Sequence, residues 1–138
     1  MNLDRIAILI KKTSLEFDKI SNKALQPYGI SASQYKMLKY LFSIEGHLAR
    51  VTDFEKQFSL THPTAIGHID ALEKQGFVER VPNPNDARGK YIKPTSKAFE
   101  LEDELVKVGD DIEDELTKNL SNKEKEEMVR LLKKLLED

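Results

Sequence analysis

The chain has 138 residues, no cysteine, and 22 Lys and Arg against 24 Asp and Glu, for a formal net charge of −2. That length suits one domain, or one compact domain with helical extensions. The missing cysteine excludes thiol catalysis, thiol sensing and Cys-ligated zinc.

Charge is unevenly placed. Residues 1–29 hold five Lys and Arg against three Asp and Glu, residues 30–97 ten against seven, and residues 98–138 seven against fourteen. A mildly basic middle beside an acidic end orients a molecule toward a polyanion, although a solvated acidic helix surface has the same composition. The opening Met1-Asn2-Leu3-Asp4-Arg5 does not read as a signal peptide, and no apolar run approaches bilayer-spanning length. The expectation is a cytoplasmic protein with no membrane contact.

In chain order, Ile6, Leu9, Ile10, Phe17, Ile20 and Ala24 recur at helical spacing and predict a helix over 3–25. Pro27-Tyr28-Gly29 breaks it. Ser31-Ala32-Ser33-Gln34 has capping-box form, Ser31 accepting a free N–H while Gln34 reaches back. The helix that follows should bury Tyr35, Leu38, Leu41 and Phe42 and end near Glu45-Gly46. Leu48-Ala49-Arg50 reads as a short strand, and Thr52-Asp53-Phe54-Glu55 as a second capping box opening a helix to about Phe58.

A three-residue joint, Ser59-Leu60-Thr61, leads to the most informative stretch. A polar cap and Pro63 open a helix there and Gly76 closes it. On a helical wheel Ala65, Ile69 and Leu72 share one narrow arc, and Thr64, Gly67 and Ala71 the opposite one. A solvated face would carry Glu, Lys or Arg, so small residues there imply close approach of something bulky. The major groove of DNA and a packed helix are the two candidates. Two short helices with a tight joint make a helix-turn-helix.

Phe77-Val78-Glu79-Arg80-Val81 alternates and favours a strand. Pro82-Asn83-Pro84-Asn85-Asp86 is turn chemistry, and Lys90-Tyr91-Ile92-Lys93 is extended again. The expectation is a hairpin with a long tip, carrying Arg80, Arg88, Lys90 and Lys93 against Asp86. Pro94 stops it and Thr95 can cap the next helix. Leu101, Leu105, Val108, Ile112 and Leu116 then mark a long amphipathic helix with an acidic outside. Ser121-Asn122-Lys123-Glu124 is a further capping box before a stripe of Met128, Leu131, Leu132, Leu135 and Leu136. The expected fold class is mainly α with a small β-hairpin wing.

No enzyme is expected: no nucleophile–base pair, phosphate loop or metal cage is visible. His62 and His68 stand six apart, which does not align them on one helix face for a shared ion, and no metal or other cofactor is predicted. Acidic runs such as Asp110-Asp111 and Glu113-Asp114-Glu115 lack a calcium loop. For DNA contact the candidates are Thr61, His62, Thr64, Gly67, His68 and Ala71 on the small-faced helix, and Arg88 and Lys90 on the hairpin. Ser33 and Gln34 join them at a helix start.

The order of elements resembles the MarR family of dimeric winged-helix transcriptional regulators. The resemblance rests on Leu60-Thr61-His62-Pro63-Thr64, on the run from Ile69 to Arg80, and on Asp86-Ala87-Arg88 with Thr95 beyond, similar to the family's Asp-x-Arg signature. It implies a winged helix-turn-helix core at 30–97, flanked by an N-terminal dimerisation helix at 1–29 and C-terminal dimerisation helices at 98–138. It also implies a homodimer on a pseudo-palindromic double-stranded DNA operator, most simply as a repressor released by a small aromatic or phenolic effector. Arg88 would contact DNA, with Asp86 supporting it. Gly67 and His68 stand where many members carry Arg or Ser, Pro94 where Leu is common and Ala98 where Gly is common. The alternative is a winged-helix protein-interaction module that no longer reads DNA.

Overall fold

A computed structural model of the chain describes residues 1–137, the side chains of Ala87 and Arg88 excepted. Helix α1 (Ile6–Leu25) ends in a single 3-10 turn, and Gly29 at φ +69° turns the chain into α2 (Ala32–Ser43). The capping box predicted there is present: Ser31 Oγ accepts from Gln34 N at 3.2 Å and Gln34 Oε1 from Ser31 N at 2.9 Å. Asn22 of α1 supplies a third fastening, its Oδ1 accepting from Ala32 N at 2.8 Å.

Two expectations for the next stretch are corrected. Residues 48–50 form no strand; only Ala49 pairs, antiparallel, with Ile92. The box predicted at Thr52–Glu55 is absent, because α3 (Val51–Phe58) starts as soon as that bridge ends. Asp53, not Glu55, then occupies the third helical position, and its Oδ2 accepts from Arg50 N at 2.8 Å. Ser59 at φ +52° makes the turn into α4 (His62–Lys74), which Thr61 caps and Pro63 opens.

Helix α4 stops as its sequence predicts. Gly76 at φ +81° lets Phe77 N reach Leu72 O at 2.9 Å and Gly76 N reach Glu73 O at 3.0 Å, closing a Schellman motif. Strands β1 (Val78–Asn83) and β2 (Asp86–Pro94) pair antiparallel with Arg80 opposite Ile92 and Pro82 opposite Lys90. The hairpin tip is shorter than expected. Asn83 pairs with Asp86, and its side chain accepts Asn85 N at 2.9 Å, so only Pro84 and Asn85 lie outside the strands.

Thr95 Oγ1 accepts from Ala98 N and caps α5 (Ser96–Glu100). A break at Leu101 separates α5 from α6 (Glu102–Leu116), and a capping box at Ser121 and Glu124 opens α7 (Asn122–Leu135). One core joins these pieces: Leu25, Leu38 and Leu41 pack with Phe54, Ile69, Leu72, Phe77, Ile92 and Leu105. Phe42, expected inside, is only half-buried, its ring tilted against Phe99 at 5.7 Å. Tyr35 Oη donates to the Leu105 carbonyl and fastens α2 to α6, where a Cβ on Gly109 would lie 2.7 Å from that oxygen. Burial raises the Tyr35 phenol above its ordinary pKa, consistent with its role as a donor.

Candidate nucleic-acid interface

The arc of α4 that the wheel placed inward is buried: Ala65, Ile69 and Leu72 are at most 1 % exposed. The outward arc is open. Thr64 and Gly67 are exposed, and a Cβ built on Gly67 meets nothing within 4 Å. Glycine in mid-helix costs about 1 kcal/mol relative to alanine, and no packing among the described residues accounts for it. Ala71 is half-buried, so it stands at the margin of the outer face and not at its centre.

Local bonds organise the start of this helix. Thr61 Oγ1 donates to Thr64 Oγ1 at 2.9 Å and accepts from Thr64 N at 3.4 Å, so the two threonines act as a unit. His62 Nδ1 lies 3.3 Å from Glu55 Oε2 of α3, which ties the two helices across their turn. His68 meets Gln34 at the start of α2, with Gln34 Nε2 and His68 Nδ1 3.3 Å apart. Two candidates 34 residues apart in sequence are thus brought together. Ser33 is exposed beside them.

The basic residues of the hairpin divide. Arg80, read from the sequence with the other hairpin cations, is held by α4. Its guanidinium reaches Asp70 Oδ1 at 2.7 Å and Glu73 Oε1 at 2.6 Å, and its side chain is 23 % exposed. A planar guanidinium can engage two carboxylates at once, so the fork clamps β1 to α4. Sequence reading passed over Asp70 and Glu73 as partners. Their signal was an i, i+3 acidic pair on the open face of α4, shortly before a lone arginine in a strand. Lys93 likewise pairs across the strands with Glu79 at 3.3 Å.

Lys90 is exposed near the tip, and Asp86 is exposed at the start of β2. The Arg88 side chain lies outside the described residues. Arg50, also passed over, sets its guanidinium 5.8 Å from the Tyr91 ring and joins the start of α3 to the wing. Among the described residues there is no group of three or more His, Asp or Glu side chains placed to hold a metal ion, and no helix long and apolar enough to cross a membrane.

A helix-turn-helix followed directly by a clamped two-stranded hairpin, with long helices before and after, is a winged helix-turn-helix. The MarR family model matches residues 30–90, from the approach to α2 through most of the wing. The multiple antibiotic resistance protein MarR of Escherichia coli K12 is 35 % identical over 131 residues, covering 93 % of this chain and 88 % of that protein. The chain belongs to the MarR family, whose members are transcriptional regulators. A mutant MarR from E. coli solved with operator DNA superposes with a TM-score of 0.83 at 32 % identity, covering 96 % of this chain and 94 % of the other. The S. aureus MepR–DNA complex superposes with a TM-score of 0.82 at 26 % identity, covering 96 % of each chain.

Proposed function

We propose that this protein is a dimeric repressor that binds a pseudo-palindromic operator and is released by a small ligand. The observation that carries the reading is the open arc of α4 around Gly67, with the wing clamped beside it through Arg80. A small-faced helix fits deep into a major groove, and two such helices in a dimer would enter grooves roughly 10 bp apart. Thr61, His62, Thr64, Gly67 and His68 supply that face with Ala71 at its edge. Arg88 and Lys90 reach the flanking backbone, Asp86 supports Arg88, and Ser33 and Gln34 present a helix start. MarR and MepR, solved on DNA, support the reading.

The second chain completes the terminal helices. Leu3, Ile6, Leu9 and Ile10 near the start, and Met128, Leu131, Leu132, Leu135 and Leu136 near the end, are each at least 40 % exposed. Contiguous apolar surface of this kind marks an interface. Residues 1–29 and 98–138 are accordingly the dimerisation segments around the lobe at 30–97.

The effector is a small aromatic or phenolic compound, as the family resemblance implies. A cavity of about 150 Å³ between α1, α2 and α6 is lined by Phe17, Ser21, Tyr35, Lys36 and Lys39. A void of about that size admits one benzene ring. Ser21 Oγ is buried there with no hydrogen-bond partner among the described residues. Lys36 and Lys39, set over the Phe17 and Tyr35 rings, and Glu113 place charges of both signs at the rim.

The test is DNA capture. Wild-type protein should select a pseudo-palindrome from random duplexes, and Arg88→Ala should lower the slope of log affinity against log salt by about one unit. Selection of no sequence at low salt overturns the reading. An unchanged slope in Arg88→Ala removes the wing contact from it.

A further inference from the structure

Gln34 is held at both ends of its amide. Its Oε1 accepts the backbone N–H of Ser31 at 2.9 Å, and that N–H can only donate. The oxygen end is therefore assigned by its partner, and the other end must be the NH₂ group. That group faces His68 Nδ1 at 3.3 Å. An amide NH₂ has no acceptor, so Nδ1 must be the acceptor and carry no proton. A neutral imidazole with a bare Nδ1 holds its proton on Nε2. The anchor is firm: Ser31 Oγ holds Gln34 N, and Asn22 of α1 holds Ala32 N.

We propose that Gln34 is a positioning residue that fixes His68 as the neutral Nε2–H imidazole, giving α4 an uncharged hydrogen-bond donor for DNA. The proposal rests on the DNA-binding reading above. A donor at Nε2 pairs with purine N7, guanine O6, thymine O4 or a phosphate oxygen, and it rejects the amino groups of adenine and cytosine. On a helix whose neighbouring position is Gly67, this donor supplies direction without charge.

The decisive variant is Gln34→Glu. Glutamate is the usual third-position residue of a capping box, so it still accepts Ser31 N–H and keeps the start of α2. Its carboxylate can only accept, which reverses the demand on His68 and puts a proton on Nδ1. Ring-nitrogen spectra of the ¹⁵N-labelled full chain, which has three histidines, should show a bare Nδ1 on His68 in the wild type and a protonated one in the variant. A protonated Nδ1 in the wild type overturns the proposal.

Binding to the duplex that wild-type protein selects is then measured well above the imidazole range, in a double-mutant cycle. His68→Ala should lose roughly tenfold. Gln34→Glu should lose several-fold more in the His68 background than in the His68→Ala background, where only its added charge acts. Equal losses in the two backgrounds overturn the proposal. Relaxed choice at one base pair in His68→Ala assigns the acceptor to a base edge, and uniform weakening assigns it to a phosphate; both support the donor. Should wild-type protein select no sequence, the donor role falls with the DNA reading, and the spectra still decide whether Gln34 sets the tautomer.

Discussion

Helices α4 and α7 carry apolar stripes of similar regularity and meet opposite fates. In α4, Ala65, Ile69 and Leu72 are sealed by α2, α3 and the wing. In α7 no residue is buried, although Met128, Leu131, Leu132 and Leu135 form a continuous stripe. An amphipathic pattern records that a face must be covered and says nothing about what covers it. In the lobe the same chain supplies the cover. At the termini α1 and α6 join that core through Leu25 and Leu105, while the apolar stripe of α7 stays exposed, and on the proposed reading a second chain covers it.

Four substitutions or conditions bear on that contrast. The largest effect is expected inside the lobe, where Phe54 is fully buried against the Tyr40 ring at 5.7 Å. Phe54→Ala should cost about 3–5 kcal/mol in denaturant unfolding. A loss under 1 kcal/mol would mean that the lobe is not the rigid member of the pair. Next comes the double substitution Leu132→Asp with Leu135→Asp. Sedimentation should show a monomer, and operator affinity should drop roughly 100-fold or more because the two half-sites no longer act together. The lobe should retain its circular dichroism. A dimer that persists at full affinity contradicts the reading of α7.

Smaller and opposite in its two readouts is Gly67→Ala. The added methyl meets nothing within 4 Å, so the free protein should gain up to about 1 kcal/mol of stability. Operator affinity should fall, because on the proposed reading a DNA groove fills that space. Equal or better binding would argue that no groove comes close to this arc. The smallest effect concerns the cap of α7. The backbone N–H of Ser121 bonded to the Glu124 carboxylate holds it below the usual glutamate range. A depressed carboxylate contributes stability above its unfolded pKa and loses it as pH falls through the native value. Thermal midpoints of wild type and Glu124→Gln should therefore differ near neutrality and converge in acid.

Much of this fold was legible one residue at a time. The boxes at Ser31 and Ser121, the threonine cap at Thr95 and the Gly76 stop act within five residues of chain, so their geometry follows from local chemistry. Errors came where a distant partner set the boundary. The start of α3 moved because Ala49 pairs with Ile92, 43 residues away; the wing tip is a separate case, shortened by the local pairing of Asn83 with Asp86 three residues on. The candidate site followed the same rule. That the outer face of α4 is small was readable from a wheel; that Arg80 clamps Asp70 and Glu73 was not, because ion pairing depends on which side of a strand meets which turn of a helix.

The sequence by itself determined the order of helices and hairpin, most of the caps and stops, and the two faces of α4, while the resemblance of its motifs to a known family pointed to the class of protein. The order, caps and faces arise from periodicity and short-range hydrogen bonding, which need no knowledge of the rest of the chain. Only the tertiary structure decided which charges are available and which are taken, and that Gln34 meets His68. Those outcomes depend on ångström distances between elements far apart in sequence. Packing of the whole core sets those distances.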